Sequence, residues 1–506
     1  MTNKGILTSP IYDPLRSLMP CVIALLLSAC QQTQMVFTPT EAPNLASFET
    51  QNTLPKVDAI MPTMDSVYAE EFHEALQLPY HLQRVFGAKV DNIATNRLSL
   101  TAVSPKIPFV NPDILQLAFQ EKAQALAMAS NDPCFETLEI RVTLHSINLS
   151  LTCPANINHL YGQLVQFWQP ETFTAYSSAP VEIDNIRRRL KLNKHLNAFS
   201  GAEIDKVWRD KLLGQTHPYN QAINNETLFD TLTLGQLQQI QLQATMQATM
   251  QAEWHLFIPE QYDNKANFDI QNSLSLWPIN TKPIYSNQIL PPKNPQRTKK
   301  IYLIDAPGSV QTQVRLGYAL DTQQFSPRQI TLSCRSLAAL LGRSFSGRLY
   351  YDLREKRGLT YGIYGQCTNA PLSSSIKFYG STAIEHTGAF VVGILDHLAL
   401  VKTQTASQGE IDTLKTYLIG EDLLIQDNKI QRESHYIHQL ATGFTQAEAL
   451  KLNAELQALS PTRLQQLANG AFREEPLIIL RGDADRIIPD LETKLPEWQL
   501  EKVKAN

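Results

Sequence analysis

The sequence lacks the features that most directly reveal a function. It contains no block of five or more like charges, and its formal net charge of −4 gives no reason to expect nucleic acid as a partner. It also lacks a Gly-x-Ser-x-Gly elbow, a phosphate-binding glycine-rich loop and a Cys-x-x-Cys pair. These absences argue against a serine hydrolase, a nucleotide-binding enzyme and a zinc knuckle.

The apolar stretch LMPCVIALLLSAC, which ends at Cys30, follows Lys4 and Arg16. It is shorter than the roughly 20 residues that a transmembrane helix needs, and it has the length of the apolar region of a signal peptide. Its last four residues, LSAC, resemble the bacterial lipobox, in which the cysteine becomes the lipidated first residue of the mature chain. We therefore predict a signal peptide over residues 1–29 and lipidation at Cys30. An ordinary cleaved signal and a buried apolar segment are the alternatives.

A lipid anchor would place the protein in the bacterial cell envelope. Gln31, rather than aspartate, follows the cysteine, which favours the outer membrane with the protein facing the periplasm. Residues 30–66 are polar and rich in proline and threonine, and they are predicted to form a tether between anchor and folded body. An exported chain can oxidise its remaining cysteines, which are Cys134, Cys153, Cys334 and Cys367.

The length of 506 residues predicts two domains of about 200 residues each. The apolar patterns predict that both are α+β domains, with helices packed on a mostly antiparallel sheet. We place the first domain at 67–265 and the second at 298–490. A proline-rich linker at 266–297 joins them, and residues 491–506 are predicted to be a tail.

Helical periodicity is clearest over residues 112–129, where apolar residues share one face and Pro112 suits the first turn. Further helices are predicted in a basic segment at 181–198 and at 231–250. The stretch THPYNQ at 216–221 is predicted to be a loop.

The hairpin pattern that ends at Cys153 is the clearest strand signal. Apolar residues alternate with polar residues on both sides of His145 and Ser146, which predicts a hairpin with these two residues as its turn. In that register Cys153 faces Leu138 rather than Cys134. A disulfide between Cys134 and Cys153 would therefore require a bulge or a fold-back.

Three stretches of the second domain carry a resemblance to a known family: YLIDAPGSVQTQVRLG, GRSFSGRLYYDLREKRGLTYG and LIILRGDAD. Together they resemble the insulinase/pitrilysin family of zinc peptidases, in its processing-peptidase-like branch of two-domain chains. The first domain resembles that family more loosely, through His-Pro-Tyr at 217–219. The resemblance implies two homologous domains.

In that family an early His-x-x-Glu-His helix and a later glutamate supply the zinc ligands and the general base. A later arginine and tyrosine, seven residues apart, hold the substrate and the developing oxyanion. Arg354 and Tyr361 match those two positions. A guanidinium offers a planar fork of donors to a carbonyl or carboxylate, and a tyrosine hydroxyl can donate to an oxyanion. The alternative is a solvated helix end with a packed tyrosine.

The zinc-binding half of the pattern is absent. No His-x-x-Glu-His occurs in either direction, and the predicted helix at 112–129 contains no histidine. The basic segment, where the third ligand would fall, carries Arg187–Arg189 instead. His435 and His438 are three apart, but Glu433 beside them does not complete the family pattern. We therefore predict that this chain binds no metal or other cofactor.

The resemblance thus implies a non-catalytic, substrate-binding subunit of a heterodimeric zinc metallopeptidase, inactive alone. A homologous partner chain would carry the zinc, and the shared chamber would admit unfolded peptides. The stretch Leu341–Gly347 also resembles the glycine-rich substrate loop of the processing peptidase's non-catalytic subunit, although a simple turn is the alternative.

Two other readings of the sequence stay open. The chain can be an inert scaffold or binding lipoprotein that reuses the fold, in which case Arg354 and Tyr361 have no present role. It can also be an autonomous peptidase with unorthodox metal ligands.

Overall fold

A computed structural model describes residues 83–86, 96–129, 133–153, 183–199, 201–223, 228–258, 298–320, 325–343, 347–427, 429–444 and 446–504, with Leu164, Phe167 and Trp168. The predicted signal peptide, Cys30, the tether at 30–66 and the linker at 266–297 lie outside the described residues.

A mixed five-stranded sheet forms the centre of the N-terminal half. Its strands are β1 (Gln83–Phe86), β2 (Asn96–Val103), β3 (Glu139–Val142), β4 (Ser146–Cys153) and β5 (Glu253–Ile258). The spatial order is β1-β5-β2-β4-β3, and every pair is antiparallel except β1 with β5. Strand β2 alternates Leu98 and Leu100, which enter the core, with Ser99 and Thr101 on the opposite face.

The described residues of this half also form helices. They are α1 (Pro112–Ala129), α2 (Ile183–Phe199), α3 (Ala202–Leu213), α4 (Pro218–Ala222), α5 (Leu228–Thr231) and α6 (Leu234–Gln251). The helix predicted at 112–129 is confirmed. Thr233, the residue before α6, caps this helix. Its side chain accepts from the Gln236 backbone, and the Gln236 side chain accepts from the Thr233 backbone, which forms a capping box. The stretch predicted as a loop at 216–221 instead contains α4, which His217 caps.

The hairpin of β3 and β4 is confirmed, but its register is two residues away from the prediction. Val142 pairs with Ile147, and the backbone of Thr143 donates to Ser146 at 2.8 Å, so the loop is Leu144–His145. The Thr143 hydroxyl accepts from the backbone of His145 at 3.2 Å and of Ser146 at 2.9 Å, which fixes the turn there.

The sequence left open a disulfide between Cys134 and Cys153, which would require a bulge or a fold-back, and the structure has that fold-back. The two cysteines are bonded, with their Cα atoms 5.2 Å apart. A short 3-10 helix, Pro133–Thr137, folds Cys134 back toward the end of β4, and the Thr137 hydroxyl holds it there by donating to the Thr152 carbonyl at 2.8 Å.

Replacing both Cys134 and Cys153 by alanine is expected to lower the free energy of unfolding by about 2–4 kcal/mol, because the unfolded chain gains the freedom of an open loop. Urea unfolding of the oxidised variant and wild type measures this difference. Equal midpoints under oxidising conditions would show that the bond adds nothing to stability.

A six-stranded sheet forms the centre of the C-terminal half. Its strands are β6 (Lys300–Asp305), β7 (Gln311–Leu320), β8 (Thr360–Ala370), β9 (Ser373–Ala383), β10 (Leu477–Gly482) and β11 (Gln499–Val503). The order is β11-β6-β10-β7-β9-β8, with β6 parallel to both neighbours and the other pairs antiparallel. The prediction of a tail at 491–506 is wrong for the described residues, since β11 extends the sheet.

The helices of the C-terminal half are α7 (Pro327–Ala338), α8 (Thr387–Thr403), α9 (Gln408–Asp427), α10 (Lys429–Thr442), α11 (Gln446–Gln457), α12 (Pro461–Ala471) and α13 (Ala484–Lys494). Among the described residues, Ile384–Thr403 is long and apolar enough to cross a membrane by composition, and 67% of it is buried in the protein. It therefore packs as a core helix does.

The predicted α+β class with antiparallel-rich sheets is confirmed. In addition, one helix of each half packs against the sheet of the other half. Helix α3 packs through Trp208 against Ile479 of β10 in the C-terminal sheet. Helix α10 packs through Ile437 against Val103 and Phe257 of the N-terminal sheet. The division of the core in space therefore differs from the division along the chain.

A buried ion pair supports the second of these contacts. Arg97 of β2 donates to Glu433 of α10 at 3.2 Å, and both side chains are about nine-tenths buried. Ser99 donates to the same carboxylate at 2.5 Å, as does Asn148 at 3.1 Å. Glu433, noticed in the sequence as a neighbour of two histidines, is therefore an interdomain anchor.

Candidate functional site

Arg354 and Tyr361 lie on either side of a tight turn at the edge of the C-terminal sheet. Arg354 belongs to a π-helical segment, Tyr350–Lys356, and Tyr361 is the second residue of β8. Gly358 between them has φ of 62°, a conformation that favours glycine, and its backbone donates to the Arg354 carbonyl at 3.0 Å. This turn ends the helical segment and starts the strand.

Both predicted site side chains reach solvent. Tyr361 is 88% exposed, so it is not packed in the core of this chain. The Arg354 side chain is 39% exposed, and its guanidinium carbon lies 4.6 Å from the ring centre of Tyr350. Its Nε atom is 3.6 Å from Glu355, an exposed carboxylate. Such a contact is weak, so the guanidinium is available to an incoming group.

Buried ion pairs hold the backbone around the segment that carries Arg354. Arg348 is 2% exposed and donates to both oxygens of Glu410, at 2.8 and 3.1 Å. Although burial alone would raise it, the hydrogen bonds and charge of Arg348 hold the pKa of Glu410 below its usual value. The segment that presents Arg354 is therefore anchored to α9 by a bidentate pair.

A second buried cluster acts at the other end of the segment. Asp352 accepts from Arg357 at 3.0 Å and from His397 of α8 at 3.1 Å. Burial would raise the pKa of Asp352, but hydrogen bonds from His397 and Arg357 lower it. Asp352 therefore holds the helical segment, the turn and α8 together.

Arg189 links α1 and α2, the two helices in which the family resemblance would place metal ligands. Arg189 of α2 donates to Glu121 of α1 at 3.2 Å and to Gln120 at 2.9 Å. A guanidinium therefore lies between these two helices, and its charge would disfavour a divalent cation beside it. Within the described ranges, no group of three or more His, Cys, Asp and Glu side chains is placed to hold a metal ion.

A cavity of about 1160 Å³ lies between the two halves. Its lining comes from α1, β3 and α3 on one side and from β8, β9 and α10 on the other. His438 lines this cavity, whereas Arg354 and Tyr361 do not. The cavity could not be predicted from the sequence, because its walls come from segments that are far apart along the chain.

The His-Pro-Tyr stretch connects the two halves. The backbone of Leu372, between β8 and β9, donates to the Tyr219 hydroxyl at 3.0 Å, and His217 donates to the Leu372 carbonyl at 3.3 Å. The Tyr219 hydroxyl in turn donates to Nε2 of His145 at 2.8 Å, because Nδ1 of His145 must donate to the Ser104 carbonyl at 2.7 Å. These hydrogen bonds join the N-terminal half to the loop between β8 and β9.

This network predicts that acid destabilises the protein. Burial lowers the pKa of His145 to about 4, so the unfolded state takes up a proton before the folded state does. The stability that this neutral histidine maintains is complete above about pH 6.5 and falls by about 3 kcal/mol as the pH decreases toward 4. Burial lowers the pKa of His255 to about 3, which steepens the same decline.

Urea unfolding between pH 7 and pH 4 measures this decline, and replacing His145 by asparagine is expected to make it shallower. A wild-type stability that is flat over this range, or a variant with the full slope, would contradict the assignment.

Comparisons with known proteins agree with this architecture. Residues 268–418 match the family model described as the peptidase M16 inactive domain. An uncharacterised zinc protease of Bacillus subtilis, YmxG, is 26% identical over 142 residues, which are 28% of this chain and 34% of that relative. The match therefore spans about a third of the relative's length.

Solved structures share the fold over most of the chain. The peptidase M16 inactive domain structure from Pseudomonas fluorescens covers 79% of this chain and 96% of its own, with 15% identity and a TM-score of 0.59. A chain of Complex III2 from Candida albicans covers 83% of this chain and 98% of its own, with 9% identity and a TM-score of 0.61. Residues 268–418 thus match a peptidase M16 inactive domain, and the chain has the fold of M16-like, or insulinase-type, peptidase structures.

Proposed function

We propose that this chain is the substrate-binding, non-catalytic subunit of a heterodimeric zinc metallopeptidase in the bacterial envelope. One observation carries the proposal: Arg354 and Tyr361 are exposed on a segment whose backbone is anchored by buried ion pairs. Surface residues without a function need no such support. The cation at Arg189, between the two helices where the resemblance would place the metal ligands, supports a division of labour with a second chain.

The proposed partner is a homologous chain that carries the zinc. That ion would activate the attacking water and polarise the scissile carbonyl. Arg354 of this chain would donate to a carbonyl or carboxylate of the bound peptide, and the Tyr361 hydroxyl would donate to the oxyanion that forms. Unfolded peptides would be the substrates, because only an extended segment enters a closed chamber between two such chains.

The two disulfides support an envelope location. Cys134 pairs with Cys153, and Cys334 of α7 pairs with Cys367 of β8. Disulfides of this kind persist in oxidising compartments such as the periplasm. They accord with the predicted signal peptide and with lipidation at Cys30, which would hold the chain on the outer membrane.

An inert scaffold or binding role is the second candidate. It is favoured by the Complex III2 chain, because the same fold occurs there within a larger assembly. On that account Arg354 and Tyr361 have no substrate to bind.

The metal content and peptidase activity of the purified full chain test this proposal. We expect less than stoichiometric zinc by elemental analysis and no cleavage of an internally quenched unfolded peptide. Stoichiometric zinc with cleavage that a chelator abolishes would overturn the proposal and favour an autonomous peptidase.

A further inference from the structure

The cavity between the two halves carries more cationic than anionic side chains. Five cations line it, which are Arg97, Arg141, Arg189, Arg209 and Lys377. Three carboxylates line it, which are Glu136, Glu139 and Glu433. Its volume of about 1160 Å³ exceeds the roughly 300–1,000 Å³ of pockets that hold small molecules. The space is sufficient for a short peptide segment.

Three of the five cations are already paired with carboxylates. Arg97 is paired with Glu433 at 3.2 Å, and Arg189 with Glu121 at 3.2 Å. Lys377 is paired at 2.8 Å with Asp205, which also binds Arg315. Each of these three cations therefore already has a carboxylate partner within the protein.

Arg141 and Arg209 differ from those three. Arg141, exposed on the edge strand β3, donates to the Ser434 hydroxyl at 2.7 Å. Arg209 of α3 donates from Nε to the Asn220 side chain at 3.1 Å. In the part of the chain that the structure describes, neither guanidinium is in an ion pair with a carboxylate, although the charges of Asp210, Asp205 and Asp113 act on Arg209 from farther away. Both therefore keep donors for an anion.

The two carboxylates not yet accounted for are at the solvent-exposed side of the cavity. Glu136 is exposed, and Glu139 has a side-chain exposure of 66% with Arg97 at 3.8 Å. Water screens exposed charges of this kind, so they oppose an anion in the cavity only weakly.

We propose that this cavity binds an acidic peptide segment, whose carboxylates are held by Arg141 and Arg209. The proposal rests on the proposed function, since it assigns that peptide-binding subunit a preference among peptides. An arginine fork matches a carboxylate in geometry as well as charge. The cavity would then hold part of a substrate away from Arg354 and Tyr361, which do not line it.

Fluorescence anisotropy with the purified full chain tests the proposal. The probes are an unstructured peptide that contains several glutamates and the same peptide with glutamines in their place. We expect the glutamate peptide to bind at least about tenfold more tightly than the glutamine peptide. In Arg141→Gln, the ratio of the two affinities should fall by about tenfold. Raising the salt concentration should weaken the preference.

Two further variants make the result interpretable. Arg209→Lys keeps the cation and should keep most of the preference, whereas Arg209→Gln should lose it. Arg188→Gln removes an exposed arginine that does not line the cavity and should change nothing. Thermal melting identifies a variant that fails to fold. If an Arg209 variant fails, Arg141→Gln still tests the proposal, because Arg141 is exposed and its replacement should not affect folding.

Equal binding of the two peptides, or an unchanged preference in Arg141→Gln, would overturn the proposal. So would competition by inorganic phosphate at concentrations similar to those of the peptide, which would indicate a simple anion site. The assay needs neither zinc nor a partner chain. The chain can therefore prefer the glutamate peptide even if Arg354→Ala leaves peptide cleavage unchanged. In that case the cavity proposal stands and the proposed function is wrong.

Discussion

Replacing Arg354 by alanine is expected to lower peptide cleavage by the assembled pair of chains about 100-fold or more. The reason is that a donor placed at the reacting carbonyl in a water-poor chamber contributes about that much when it acts on developing charge. The variant should fold and should stay paired, since the Arg354 side chain is partly exposed and its contacts with Tyr350 and with the exposed Glu355 are weak. Steady-state cleavage of a quenched peptide by the reconstituted pair measures the effect.

Lys356→Ala provides the matched control for this variant. It removes a neighbouring cation from the same helical segment, where Lys356 lies 5.2 Å from the ring centre of Tyr351. Its effect on cleavage should be less than about threefold, because a rim charge mainly alters association. Tyr361→Phe removes only the exposed hydroxyl and should lower cleavage in the same direction as Arg354→Ala. Unchanged cleavage in both site variants would end the role assigned to them.

Replacing Glu410 by alanine is expected to lower the free energy of unfolding by about 3–5 kcal/mol, because it leaves the Arg348 guanidinium buried without its carboxylate. The two side chains are 2% and 6% exposed, so water cannot replace the lost partner. Urea unfolding followed by circular dichroism gives the change.

The same pair predicts a pH dependence and a compensating variant. Because the pKa of Glu410 is lower in the folded state, its contribution is complete above the ordinary carboxylate pKa of about 4.3 and is lost as the pH falls through the folded value. The double variant Arg348→Met with Glu410→Leu should recover much of the stability, since it removes both charges. Asp485→Ala, at a side chain that is 93% exposed, should change little. A loss below about 1 kcal/mol in Glu410→Ala would contradict the anchoring role.

The elements around Arg354 and Tyr361 followed from the sequence because local signals agreed with the final packing. Gly358 lies in one of the stretches that carry the family resemblance, and its positive φ makes the turn between the helical segment and β8. Helix α1 was predicted with its bounds because Pro112 fixes its start.

The errors have physical causes. The hairpin register could not be read from alternation, because a shift of two residues leaves every side chain on the same face. The Thr143 hydroxyl decides the turn, and its hydrogen bonds are visible only in the fold. Helices α10 and α11 were not predicted. Helix α10 owes its position to Glu433 and Ile437, which bind a sheet hundreds of residues earlier in the chain.

Candidate functional residues also differ in whether they can be found from local sequence or only from the packing of distant segments. Arg141 and Arg209 are unremarkable in the sequence, and only the packing of α3 and α10 across the opposite sheets brings both to one space. The arginine-tyrosine pair, by contrast, is local, and its spacing of seven residues was visible at once.

The most direct test of the central claim is the identity of the companion chain. The tagged full-length protein is extracted from its native envelope in mild detergent, and the proteins recovered with it in equal amount are identified by mass spectrometry. The account predicts one homologous chain that carries His-x-x-Glu-His. Recovery of this chain alone, or with unrelated envelope proteins, would leave the proposed peptidase without an active site and would contradict the account.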